Sequence, residues 1–125
     1  MTKKESFLVN RIKSVAYAFK GAFILVSTEA SIKVQFFIGI IMTFLGFYFE
    51  IDKTEWLIQI ATIGLIMALE GVNTAIEEIA DFVHPEYHKK IGLIKDISAG
   101  AVFIFAITAI IMGCIIYLPK IFKYI

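Results

Sequence analysis

Three long apolar stretches, residues 34–49, 56–80 and 97–118, fill roughly half of this 125-residue chain. Each approaches the roughly 20 residues with which a helix crosses about 30 Å of hydrocarbon, the first once residues 30–33 are added to it. Stretches of this length and apolarity read as membrane-spanning helices. The expected fold is an all-α membrane protein with one domain over residues 1–125. Composition agrees: 59% of the residues are hydrophobic and 18% charged, against about 45–50% and 25% in soluble domains. Twelve Phe, two Pro and a single cysteine, Cys114, inside an apolar run exclude a disordered, collagen-like or disulfide-stapled chain.

The connections set the topology. Residues 50–55 suffice only for a tight surface turn, so the first two spans form an antiparallel hairpin. The polar segment 81–96, with His84-Pro85 and Lys89-Lys90, must lie outside the hydrocarbon. An inner N-terminus puts Lys3, Lys4, Arg11, Lys13, Lys20, Lys33, Lys89, Lys90 and Lys95 on the cytoplasmic side and only Lys53, Lys120 and Lys123 outside, as the positive-inside rule prefers. Residues 6–28 carry too many charges to span. Leu8, Ile12, Val15, Phe19, Phe23 and Val26 recur at helical spacing, opposite Asn10, Lys13, Ser14, Tyr17, Lys20 and Gly21, which predicts an amphipathic helix lying in the membrane interface. A secretory signal is the competing reading, but the charges interrupt its apolar region and no clear cleavage site follows. With a net charge of +1 and no interleaving of aromatics with Lys or Arg, nothing points to nucleic acid as a partner.

The second span holds the chemistry. At about 100° per residue, Gln59, Glu70, Asn73, Glu77 and Asp81 share a narrow sector, while Ala61, Gly64, Ala68, Gly71 and Ala75 line the opposite one. The small sector, like Gly39, Gly46, Ala99, Ala106, Ala109 and Gly113 on the other spans, suits close approach of helix backbones. Glu70 lies about 21 Å along the helix from Trp56. A carboxylate at that depth costs at least ~2.5–3.5 kcal/mol unless it meets protein, water or a cation. A protonated, helix-packing Glu70 is the plain alternative. Asn73 and Glu77, at i+3 and i+7, extend it to a slot in which one carboxylate can hold a divalent cation and another can handle a proton. Glu29, at the entry to the first span, and Lys95-Asp96, at the entry to the third, fall at the level of Glu77. Asp96 reads equally as an N-cap or first-turn acid, and Lys95 as a snorkelling anchor. His84 and His88 have metal spacing, but Pro85 separates them and no third ligand is evident.

Glu70-Gly71-Val72-Asn73-Thr74-Ala75-Ile76-Glu77, then Asp81, Tyr87-His88 and Lys95-Asp96-Ile97-Ser98-Ala99-Gly100-Ala101-Val102, resembles the signature of the small bacterial membrane lipid kinases, the prokaryotic diacylglycerol kinase and undecaprenol kinase family. The resemblance runs from about Arg11 to the end of the third span and includes Tyr17-Ala18-Phe19-Lys20-Gly21. It implies a homotrimer of three-span chains in the bacterial inner membrane, with active sites shared between subunits at the cytoplasmic face. The implied reaction moves the γ-phosphoryl group of ATP to the primary hydroxyl of a lipid, with Mg²⁺. Residue by residue, Glu70 resembles the catalytic base, Asn73 a positioning residue, Glu77 and Glu29 the magnesium ligands and Lys95 a phosphate contact, with Asp96 supporting the site. Tyr17 and Arg11 correspond to nucleotide contacts, Arg11 standing about one residue from the arginine of some members. Lys33 and Gln35 occupy positions that vary among members.

This agrees with what phosphoryl transfer needs, namely cations to neutralise phosphates and a group to take or orient the hydroxyl proton. The motifs of soluble kinases are missing from the sequence. A small ion-conducting protein that uses Glu70 and Glu77 as a relay is the alternative from another class, and a structural adaptor a third. The wording of residues 99–102 lies nearer to the undecaprenol-type members than to the diacylglycerol type.

Overall fold

The computed structural model describes residues 4–125; Lys3 of the inner-side count lies outside them. Four helices, α1 (Phe7–Thr28), α2 (Ala30–Tyr48), α3 (Lys53–Val83) and α4 (Lys89–Phe122), account for nearly all of these residues. The chain is all-helical as expected, and α2, α3 and α4 are long and apolar enough to cross a membrane.

Three of the four helices start on a side-chain cap, and α2, which follows α1 at the Glu29 bend, has none. Ser6 caps α1 by accepting from the Val9 N–H at 3.3 Å. Asp52 and Glu55 form a reciprocal capping box on α3, satisfying two of the N–H groups that a helix leaves orphaned. His88 caps α4, its Nδ1 accepting from the Lys90 N–H at 3.1 Å. That cap displaces a sequence reading: Asp96 lies two turns inside α4 and is neither N-cap nor first-turn acid. Most of the 81–96 segment is helical, because α3 runs on to Val83 and α4 begins at Lys89, leaving five residues to turn the chain.

The α2–α3 hairpin closes through the Ile51 N–H to the Gly46 carbonyl at 3.1 Å, with Glu50 at a left-handed φ of 51°. Ile51 then plugs the end of the bundle at the α2–α3 turn, the outer end in the expected orientation, packed with Ile116 and Tyr117 and flanked by Met42, Leu45, Phe49 and Trp56. Gly46 is needed there: a Cβ at this position would stand 2.6 Å from the Trp56 ring. Phe47 with Trp56 and Phe49 with Tyr117 and Tyr124 stack around this end, as aromatic rings do where a membrane meets water.

Beneath the plug, Gln59 is only 6% exposed. Its amide donates to the Met42 carbonyl at 3.0 Å and its oxygen accepts from the Tyr117 hydroxyl, tying α2, α3 and α4 together. Lys120 and Glu55 pair at 3.0 Å just beyond. The rest of the surface is inverted relative to a soluble protein: Phe36, Phe44, Leu57, Ile60, Phe103 and Ile104 all point outward.

On α1, Leu8, Ile12, Val15, Phe19 and Phe23 face away from the body, while Ser14, Gly21 and Leu25 turn toward it. Leu25 lies over Gly71, where a Cβ would come within 2.9 Å of it. Gly71 is therefore covered within the chain. Ala61, Gly64, Ala68 and Ala75 form an exposed stripe with no intrachain partner near Gly64.

Candidate active site

The polar sector of α3 turns inward, toward the helices that flank it. Asn73 is buried, 9% exposed, and Glu70 and Glu77 are half-buried on the same face. Residues at i, i+3 and i+7 stack along one face of a helix, so Glu70 and Glu77 are separated by two turns, about 10 Å along the axis. The Asn73 amide nitrogen donates to Glu77 Oε1 at 3.0 Å. From α2, Gln35 Nε2 makes a longer bond of 3.4 Å to Glu70 Oε1.

These two bonds determine the remainder. Each amide must present its nitrogen to its carboxylate, so each must leave its oxygen elsewhere. Both oxygens, Gln35 Oε1 and Asn73 Oδ1, are buried with no hydrogen-bond partner. Buried acceptors seldom lack a donor. Two of them beside two carboxylates make a site with surplus electron pairs, suited to a hydroxyl donor or a hard cation.

Glu29 forms the joint between α1 and α2, its N–H bonded to the Leu25 carbonyl at 3.1 Å and its carbonyl accepting from Lys33 at 3.0 Å. Its side chain is half-buried at this bend. Lys95, from the second turn of α4, bonds Asp81 one turn beyond Glu77 and also feels the charge of Glu77. One face of α3 thus holds Glu70, Asn73 and Glu77, with the Lys95–Asp81 pair one turn beyond.

Other candidates stand apart. Asp96 is exposed and lines a shallow hollow with Tyr87, His88, Lys89 and Lys90. Tyr17 is exposed on α1, and Arg11 lies over the Phe7 ring at 5.7 Å. His84 Nδ1 contacts the Glu86 carbonyl at 2.7 Å, its ring edge-on to His88. Among the described residues no three His, Cys, Asp or Glu side chains gather as a metal cage. Gln35 is the residue that sequence reasoning gave no role; its only signal was a lone amide inside an apolar span.

The family model for prokaryotic diacylglycerol kinase matches residues 16–117. An undecaprenol kinase of Bacillus subtilis is 34% identical over 108 residues, 86% of this chain and 88% of its own. A diacylglycerol kinase of Escherichia coli K12 is 30% identical over 105 residues, 84% and 86% of the two chains. One from Haemophilus influenzae is 30% identical over 115 residues, 91% and 98%.

Proposed function

The chain belongs to the prokaryotic diacylglycerol kinase family and is a lipid kinase, and from that premise we propose how its residues divide the work. The reaction is transfer of the γ-phosphoryl group of ATP to a primary hydroxyl held at headgroup depth on the cytoplasmic side. The observation that carries this reading is the acceptor-rich seam of α3 with α2: the carboxylates of Glu70 and Glu77 and the unpartnered amide oxygens of Asn73 and Gln35.

Glu70 is the deeper carboxylate and acts as the base. As the lipid oxygen forms its bond to the γ-phosphorus and the bond from that phosphorus to the β,γ-bridging oxygen breaks, the hydroxyl proton passes to Glu70 and ADP departs. Gln35, bonded to Glu70 from α2, holds the carboxylate in place, and Asn73 does the same for Glu77. Glu77, Glu29 and the free oxygen of Asn73 make an all-oxygen donor set suited to Mg²⁺, which takes one or two carboxylates and completes its shell with water and nucleotide phosphates. When bound, the ion neutralises phosphate charge. Lys95 supplies a fixed cation at the same level.

Three further elements belong to the proposal. The assembly is a homotrimer, for which the open small-residue stripe of α3 is suited. Its sites are shared, with Arg11 and Tyr17, both exposed on α1, serving a neighbour's nucleotide. The favoured lipid is undecaprenol, supported by the 34% identity to the Bacillus subtilis enzyme against 30% for the Escherichia coli one. Purified protein in detergent with γ-labelled ATP, Mg²⁺ and either lipid tests the reaction. Glu70→Gln should lower kcat by roughly 10²–10⁴, the usual range for acid–base groups, with Mg-ATP binding retained. Near wild-type turnover in that variant would remove Glu70 from its role.

A further inference from the structure

The turn from α3 into α4 has a histidine at each end. Pro85 ends α3 at His84, because the residue before a proline is driven out of the α conformation, and His88 then caps α4. The partners of the two rings fix where their protons lie. A carbonyl only accepts, so His84 Nδ1, 2.7 Å from the Glu86 carbonyl, carries a proton and leaves Nε2 bare. A backbone N–H only donates, so His88 Nδ1, 3.1 Å from the Lys90 nitrogen, is bare and the proton of the neutral ring sits on Nε2. The two neutral rings are thus opposite tautomers, edge-on with 5.3 Å between their centroids.

A further proton has unequal consequences on the two. On His84 it goes to Nε2, leaves the bond to Glu86 intact and puts a cation at the C-terminus of α3, where the helix dipole favours one. On His88 it must go to Nδ1, the atom that holds the cap. It then sets a cation at the N-terminus of α4, where the dipole opposes it, in the same turn as Lys89 and Lys90. The other groups that face the rings are Asp81 of α3, Glu86 and Tyr87 of the turn, and Lys95 and Asp96 of α4. Asp81 and Lys95 answer each other, and Glu86 and Asp96 offset Lys89 and Lys90, so the cap bond decides the balance. Much hangs on that bond, since no residue of α4 before Ser98 is buried. The first two turns are held by the cap and by the Lys95–Asp81 pair.

We propose that His88 is a pH-sensitive cap through which acidification of the cytoplasm slows the kinase. Imidazole changes its charge between pH 5 and 8. The neutral ring holds the first two turns of α4, and with them Lys95, in register, and the charged ring releases them. The capped helix therefore prevails on the alkaline side and is lost as pH falls, and nucleotide affinity falls with it. The inference rests on the reading of Lys95 as a phosphate contact.

The test measures the KM for Mg-ATP of the purified full chain in bilayers, from about pH 8 down to about pH 5.5. The wild type is compared with His88→Asn, whose amide is a strong N-cap that does not titrate. The two should agree at the alkaline end. On acidification the KM of the wild type should rise over that of His88→Asn by roughly three- to tenfold, within the range that loss of an N-cap opens in a helix equilibrium. At saturating nucleotide their kcat values should stay together. His88→Ser, a second cap that does not titrate, should follow His88→Asn. His84→Gln removes the neighbouring cation and should move the transition to higher pH. An unmoved transition in His84→Gln would overturn the proposal, as would a nitrogen-15 NMR signature of a protonated His88 Nδ1 at the alkaline end. Amide hydrogen exchange over residues 89–95, compared between wild type and His88→Asn at each pH, separates the cap from its premise. Parallel KM profiles with equal protection in the two chains sink the cap, and so do diverging KM profiles without a difference in protection. Parallel KM profiles with protection lost in the wild type alone retain the cap and remove Lys95 from its phosphate contact.

Discussion

Glu77 differs from Glu70 in depth and in company: Asn73 donates to Glu77, Gln35 to Glu70. If Glu77 holds the nucleotide-bound cation, Glu77→Gln keeps one ligand oxygen and loses the charge. We expect a raised KM for Mg-ATP, partly recovered at high Mg²⁺, with a smaller fall in kcat than in Glu70→Gln. Titrating Mg²⁺ in both variants checks this, and an equal response in the two would merge the roles separated here. The α3 residues of the site were legible because all come from one helix, where spacing alone decides which side chains share a face. Gln35 was not: its partner is 35 positions away, and no local pattern in an apolar span announces which neighbouring helix an amide will meet. Asp96 shows the complementary difficulty, since adjacency to Lys95 in sequence puts it about 100° round the helix and out into a different hollow.

Among the helices, the bundle is joined at its outer end by side chains that leave no slack. Gly46→Ala would drive a methyl group into the Trp56 ring, 2.6 Å away, and overpacking of this kind costs about 1–3 kcal/mol. Tyr117→Phe removes the hydroxyl that donates to Gln59 and lies 3.3 Å from the Met42 carbonyl, and should cost less, about 0.6–1.7 kcal/mol as judged from membrane double-mutant cycles. Unfolding in mixed micelles should rank the two in that order, and the reverse would place the strength of this end in its hydrogen bonds rather than its fit. The number and type of helices were readable from apolar length, because hydrocarbon thickness imposes it. Their ends were less so. The first two turns of α4 contain Lys89, Lys90 and Lys95 and look like a loop to any hydropathy argument, whereas the His88 cap and the covering of Ser98 and Val102 make them helix.

For the whole molecule, orientation and assembly are the testable matters. In a Cys114→Ala background, cysteines at Lys53 and Glu86 should react with an impermeant reagent from opposite faces of a vesicle, and labelling from one face would contradict a three-span chain. In the proposed division, Glu29, Glu70 and Glu77 serve one site while Arg11 and Tyr17 serve a neighbour's. Mixed oligomers of Glu70→Gln with an Arg11→Ala/Tyr17→Ala chain should therefore recover activity, whereas mixtures of Glu70→Gln with Glu29→Gln should not. Recovery in the second mixture, or none in the first, would reverse this division of the site. The outer end of the bundle is bolted by Ile51, Gln59, Tyr117 and the Lys120–Glu55 pair, and the other end is packed as well, around Ile32, Ala80, Ser98 and Val102. In mechanical terms the bundle is a rod clamped at both ends, and α3 runs through it unbroken from Lys53 to Val83. A push on the α2–α3 turn would then be carried along that one helix to the acids at its far end.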